Sequence, residues 1–211
     1  MNKEILKLYL VTDYPERYAH GLLAGVEAAV AGGVTLVQYR ADVGTTRERY
    51  ETALAVRDLL RPRKVPLVIN NFVDLALAVD AEGVHIGQND LPAEVARRIL
   101  GKKKILGLSI STPEQMAKVD PKVVDYVGVG PVFPTVSKMN APKDVGISGW
   151  GKLRAKSPVP AVAIGGLRAE HIPELLRQGA DGIAVVSALS RSADPEAAAR
   201  ELLAAFGQGR A

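Results

Sequence analysis

Short β-branched runs alternate with longer stretches of helical period from one end of the chain to the other, and this alternation restricts the fold more than any other feature. The runs are LYLVT (8–12), VTLVQYR (34–40), PLVIN (66–70), GVHIG (83–87), ILGLSI (105–110), YVGVGPVF (126–133), PAVAIGG (160–166) and DGIAVVS (181–187). Each precedes a helical pattern, from AHGLLAGVEAAVAGG at the start to DPEAAARELLAAF at the end. Eight units in 211 residues leave about 26 residues per unit, so the reading is a single domain over 1–211 without long insertions. Gly32-Gly33, Gly83, Gly101 and Gly179 stand just before the next strand, where helix stops are expected. Repeated strand–helix crossovers imply a parallel sheet covered by helices. Eight of them favour an α/β fold closed as a TIM (β/α)8 barrel over an open, doubly wound sheet.

Composition narrows the function. The 47% hydrophobic content is enough for a core without staples, and the absence of cysteine removes disulfides, thiolate metal sites and thiol nucleophiles. A cytoplasmic location fits that usage. The 27 basic and 23 acidic residues leave a net charge of +4 without a basic tract, so no nucleic-acid partner is expected. Lys3, Glu4 and Lys7 interrupt the N-terminal apolar stretch, and runs such as 75–79 are too short for a bilayer. No membrane partner is expected either.

Active sites of TIM barrels form on the loops that follow the strands. Polar strand ends here are Thr12 and Asp13, Gln38 and Arg40, Asn70 and Asn71, Gln88 and Asp90, Ser109 and Ser111, and Thr135, Ser137 and Lys138. Gly165-Gly166 and Val186-Ser187 follow strands seven and eight, the usual place for a phosphate held by backbone N–H groups, although a glycine pair also simply makes a tight turn. Arg40 and Lys138 are expected to face each other across the barrel mouth, as a pair that needs an anion rather than as separate surface charges. Asp90 suits either Mg2+ coordination or a helix N-cap. His20 and His171 read as solvent-facing helix residues. His85, in strand four, reads as a hydrogen-bonded core or supporting residue.

Several of these stretches carry a resemblance. LYLVTD, VTLVQYR, LVINNFVDLALAVDAEGVHIGQNDLP, LGLSISTPEQ, DYVGVGPVFPTVSK, AIGGL and DGIAVVSAL, in this order over residues 8–189, resemble the thiamine phosphate synthase family. HIGQ-x-D, GLS and PVFPT-x-S-K are the specific parts. The resemblance implies a TIM barrel and a transferase. Its reaction joins 4-amino-2-methyl-5-hydroxymethylpyrimidine diphosphate to a thiazole phosphate, or its carboxylated form, and releases pyrophosphate. The C–O bond ionises first, Mg2+ assists, and charge placement replaces a catalytic dyad.

Carried over by position, Gln38, Arg40 and Lys138 match pyrophosphate contacts, and Asn70 and Ser109 the aminopyrimidine side. Thr135, Ser137, Gly166 and the Val186-Ser187 backbone match the thiazole-phosphate contacts, with Gly165 beside them. Arg40, Lys138 and Ser109 are the expected catalytic group, and Asp90 matches one Mg2+ ligand. Three positions depart from the pattern. Asp42 stands where the family has a lysine. Asn71 stands where it has a second metal-binding aspartate, and a helix N-cap is its competing role. Ser111 stands where the related thiazole tautomerases have a histidine.

A non-catalytic relative that binds thiamine precursors remains the alternative. An aldolase lacks its strand lysine, and an acid–base isomerase would have only Asp13 to use. The partners are small phosphorylated molecules, with room for a homo-oligomer. The segment 139–144 is a candidate lid.

Overall fold

The computed structural model describes residues 2–40, 42–135, 137 and 142–208. Eight strands are β1 (Leu8–Val11), β2 (Leu36–Tyr39), β3 (Leu67–Asn70), β4 (Gly83–Ile86), β5 (Ile105–Ile110), β6 (Tyr126–Val129), β7 (Ala161–Ile164) and β8 (Gly182–Val185). Each pairs in parallel with the next, and β8 returns to β1 through Leu8↔Ile183 and Leu10↔Val185, so the sheet closes as a barrel. The open sheet is thereby excluded.

The helices are α1 (Leu22–Ala31), α2 (Thr46–Leu60), α3 (Val73–Ala78), α4 (Ala93–Leu100), α5 (Pro113–Met116), α6 (Gly146–Arg154), α7 (Ile172–Arg177), α8 (Ser187–Ser190) and α9 (Pro195–Gln208). Alternation along the strands divides the core in two. Leu8, Leu10, Val37, Ile69, Val84 and Val127 pack outward against the helices, while Tyr9, Leu36, Val68, Tyr126, Val162 and Ala184 fill the barrel.

Several local expectations need correction. Gly83 is the first residue of β4 rather than a helix stop; a Cβ there would lie 2.2 Å from the Ile105 carbonyl oxygen, so the strands need the missing side chain. The run 126–133 yields a strand only to Val129. After Pro131, which has no N–H, Val132 and Phe133 donate to the carbonyls of Ile164 and Gly165 at 2.8 and 3.0 Å. The last crossover contains an extra short helix, α8, ahead of α9. His20 lies in an exposed turn before α1. His171 is not solvent-facing: its Nδ1 accepts the Arg168 N–H at 3.1 Å and its ring packs 4.2 Å from that of Phe133.

Candidate active site

A cavity of about 410 Å³ opens at the C-terminal ends of the strands, lined by the connections that follow β2 to β8 and by Tyr9 and Val11 of β1 itself. Gln38, Arg40 and Asp42 line it from β2, Asn70 and Asn71 from β3, and Ser109 from β5. Thr135 and Ser137 arrive from the loop after β6, Gly165 and Gly166 from β7, and Val186 and Ser187 from β8. Asp90 does not line the cavity. Lys138 lies outside the described residues, as do residues 139–141 of the candidate lid; Pro142, within the lid segment, touches the cavity.

Arg40 is the most constrained group on the rim, with only 9% of its side chain exposed. Its Nη1 donates to the Ser137 carbonyl at 2.9 Å, which brings β2 to the loop of β6 at the residue before Lys138. Its Nη2 meets Asp13 Oδ1 at 3.1 Å and its Nε meets Asp42 Oδ2 at 3.0 Å. Asp42 therefore occupies one edge of the guanidinium that an incoming anion would use. The Asp13 side chain is fully buried. Its Oδ1 also accepts from Arg17 Nη1 at 2.8 Å and the Tyr14 N–H, and its Oδ2 from Ser190 Oγ at 3.1 Å. Asp13 is thus engaged in holding arginines and is absent from the cavity wall, which removes the one base the isomerase alternative had.

Beneath the cavity, five side chains form a continuous hydrogen-bonded line across the barrel. Gln38 Nε2 donates to Tyr9 OH, the Tyr9 and Tyr126 hydroxyls meet at 2.8 Å, and Tyr126 OH lies 2.9 Å from His85 Nδ1. His85 Nε2 lies 2.9 Å from Ser109 Oγ. Glycines make the room: a Cβ on Gly107 would lie 2.3 Å from the Tyr126 ring and 2.5 Å from His85 Nδ1, and one on Gly128 would lie 3.2 Å from His85 Cε1. Burial pushes both tyrosine hydroxyls well above the ordinary phenol range, so they stay protonated. His85 is therefore a hydrogen-bonded supporting residue, as its position in strand four suggests. Tyr9 and Tyr126 were not singled out by sequence reasoning. Their only signal is a large hydroxyl-bearing ring at an inward strand position opposite glycines on neighbouring strands.

The wall after β7 and β8 has a different character. Gly165 and Gly166 both have positive φ, 100° and 65°, and Gly166 packs against the loop of β6, where a Cβ would meet Phe133 Cβ at 2.7 Å. Val186 precedes α8, whose first turn faces the same space, so this side offers backbone rather than side-chain donors.

The N-cap alternatives fail for both candidate metal ligands. Phe72 and Pro92 occupy the cap positions of α3 and α4, neither with a capping side chain. Asn71 has a left-handed backbone with φ of 65°, and its N–H donates to the His85 carbonyl at 2.9 Å. Asp90 Oδ2 closes a turn by accepting the Gly87 N–H at 2.6 Å. Among the described residues no three His, Cys, Asp or Glu side chains gather as a metal cage. One carboxylate and one amide on adjacent loops are hard oxygen donors that suit Mg2+ when substrate oxygens and water complete its shell.

Comparison with known proteins agrees with this architecture. The family described as thiamine monophosphate synthase matches residues 8–189. The thiamine-phosphate synthase of Vibrio campbellii is 47% identical over 197 residues, covering 93% of this chain and 96% of the relative. That of Azorhizobium caulinodans is 49% identical, covering 93% of each. The structure of a thiamine phosphate pyrophosphorylase from Pyrococcus furiosus superposes with a TM-score of 0.88 at 36% identity over 99% of both chains. A match across nearly the whole chain, on a closed barrel with a polar cavity at the expected end, has one consequence: the chain belongs to the thiamine monophosphate synthase family and is a transferase.

Proposed function

We propose that the chain joins 4-amino-2-methyl-5-hydroxymethylpyrimidine diphosphate to a thiazole phosphate and releases pyrophosphate. The observation that carries this reading is the pairing, in one cavity, of two unlike seats for anions: the Arg40 rim on β2 and the glycine-lined rim after β7 and β8. Two phosphorylated substrates need two such seats. Between them lies a polar floor from Gln38 to Ser109.

In the proposed reaction the methylene C–O bond breaks and its electron pair leaves with pyrophosphate. The thiazole nitrogen then donates its lone pair to the pyrimidine methylene carbon. No proton moves in either step. Arg40 and Lys138 stabilise the charge that gathers on the leaving group, and their contacts strengthen as it forms. Asn70 and Ser109 orient the aminopyrimidine. Gly165, Gly166, Val186 and Ser187 hold the thiazole phosphate through the backbone, with Thr135 and Ser137 beside them. Asp90 and Asn71 would hold Mg2+, which when bound supplies positive charge against the diphosphate.

Asp42 opposes this arrangement, because its carboxylate competes for Arg40, and it favours slower turnover than a lysine at the same place would give. The decisive assay measures pyrophosphate release with both substrates present. Release that needs both supports the reading. Tight binding of either substrate with no release above background would leave a binding protein instead.

A further inference from the structure

The buried line from Gln38 to Ser109 has a direction. Each tyrosine or serine hydroxyl carries one proton to donate, and a neutral imidazole carries one, so where every proton is used within the line the orientation of one bond sets the rest. The Gln38 carboxamide donates through Nε2 to Tyr9 OH. The arrangement that uses every proton within the line has Tyr9 donating to Tyr126, and Tyr126 to His85 Nδ1, across the 2.8 and 2.9 Å separations. The imidazole proton is left on Nε2, where it faces Ser109 Oγ at 2.9 Å. Ser109, already an acceptor toward His85, has its own proton free to turn into the cavity.

We propose that Tyr9, Tyr126 and His85 act as positioning residues that fix Ser109 as a hydrogen-bond donor toward the ligand, so that it selects a ring nitrogen acceptor. None of the three needs to touch the reacting atoms. The design of the surrounding strands supports the proposal, since Gly107 and Gly128 leave the space in which the two rings meet. Burial raises both tyrosine hydroxyls above the ordinary phenol range, so these two members of the line keep their protons across the working pH range. Because Gln38 and Ser109 sit at opposite ends, the proposal also couples two sides of the cavity through four hydrogen bonds. It rests on the reading that an aminopyrimidine occupies the Ser109 side.

Nitrogen-15 spectra of the His85 imidazole in the ligand-free protein test the direction without any substrate. The proposal expects the proton on Nε2 in the wild type. Gln38→Glu, whose ionised carboxylate can only accept from Tyr9, should reverse every bond and move that proton to Nδ1. In a Tyr126→Phe background the same substitution should leave the imidazole unchanged. A proton on Nδ1 in the wild type, no response to Gln38→Glu, or a response that survives Tyr126→Phe overturns the proposal. Should Gln38→Glu not melt cooperatively, Tyr9→Phe replaces it: the line loses its first two links, and His85 should populate both tautomers. One unchanged tautomer would again overturn it.

A second measurement addresses the ligand. Calorimetry with the pyrimidine diphosphate and with pyridine analogues lacking one ring nitrogen should show about tenfold weaker binding of one analogue to the wild type. In Tyr126→Phe that preference should shrink to about twofold. Equal preference in both proteins overturns the assignment of Ser109 as a selector. A wild type that binds none of these ligands defeats the functional reading, while the imidazole spectra still decide the direction of the line.

Discussion

Arg40 illustrates how a single side chain is shared among structure, restraint and chemistry. Asp13 and the Ser137 carbonyl aim it, and Asp42 holds its Nε edge. Arg40→Ala should slow turnover about a hundredfold, about 2.7 kcal/mol in the barrier, because the guanidinium contact strengthens as charge develops on the leaving group. Steady-state kinetics check this, and wild-type turnover would remove Arg40 from the site. Asp42→Lys exchanges the competing carboxylate for a cation. It should lower the KM for the pyrimidine diphosphate about tenfold, with a smaller effect on the thiazole phosphate. An unchanged KM would mean that Asp42 already swings clear of the anion at no cost. Asn71→Asp addresses the metal in the same way. Asn and Asp both tolerate the left-handed backbone at this position, so the fold should be indifferent to the change while the half-saturating Mg2+ concentration falls. A flat Mg2+ titration would exclude residue 71 as a ligand.

At the level of elements, the order and type of strands and helices were legible because each strand is a short β-branched run buried on both faces and each helix shows its own period. The failures have local causes. Gly83 reads as a stop because glycine commonly ends helices, yet β4 uses it to pass the Ile105 carbonyl. The β6 run looks longer in sequence than the strand because hydrophobicity continues past Pro131, whereas the strand ends at Val129. Gly166 shows how two elements share one glycine. A side chain there would strike Phe133 and the Pro134 carbonyl, in the loop that continues to Ser137 on Arg40. Gly166→Ala should therefore raise the KM for both substrates, by about tenfold for the thiazole phosphate and severalfold for the pyrimidine diphosphate, rather than for the acceptor alone. A loss confined to the acceptor would show that the β6 loop yields without disturbing Arg40.

For the molecule as a whole, closure depends on the seam between β8 and β1, and α9 packs on both α1 and α7, the helices flanking it. Leu202 and Phe206 of α9 are 4% exposed, in the shell outside the strands and away from the cavity. Phe206→Ala should lower stability by about 3–4 kcal/mol while leaving both KM values unchanged, as measured by denaturant unfolding and kinetics on the same preparation. A change in KM would mean that the seam transmits strain to the site. The cavity wall was legible at the strand ends, where Gln38, Arg40, Asn70 and Ser109 line it. The floor was not legible. Tyr9 and Tyr126 read as ordinary core, since their hydroxyl partners stand 29 to 117 positions away in sequence and only closure brings them together.

The contrast between the side-chain wall and the backbone wall of the cavity bears on how such a protein can change. A single codon replaces Ser109, Asn70 or Asp42 and thereby alters what that wall recognises. The amide groups at Gly165, Gly166 and Val186 persist under substitution, and the first two sit where a new side chain collides with its neighbours. Inheritance can thus rewrite one half of the cavity letter by letter, whereas the other half changes only when the main chain itself moves. A lineage, or a designer, that keeps the barrel and seeks a new substrate will find its freedom on β2, β3 and β5 and its fixed handle on β7 and β8.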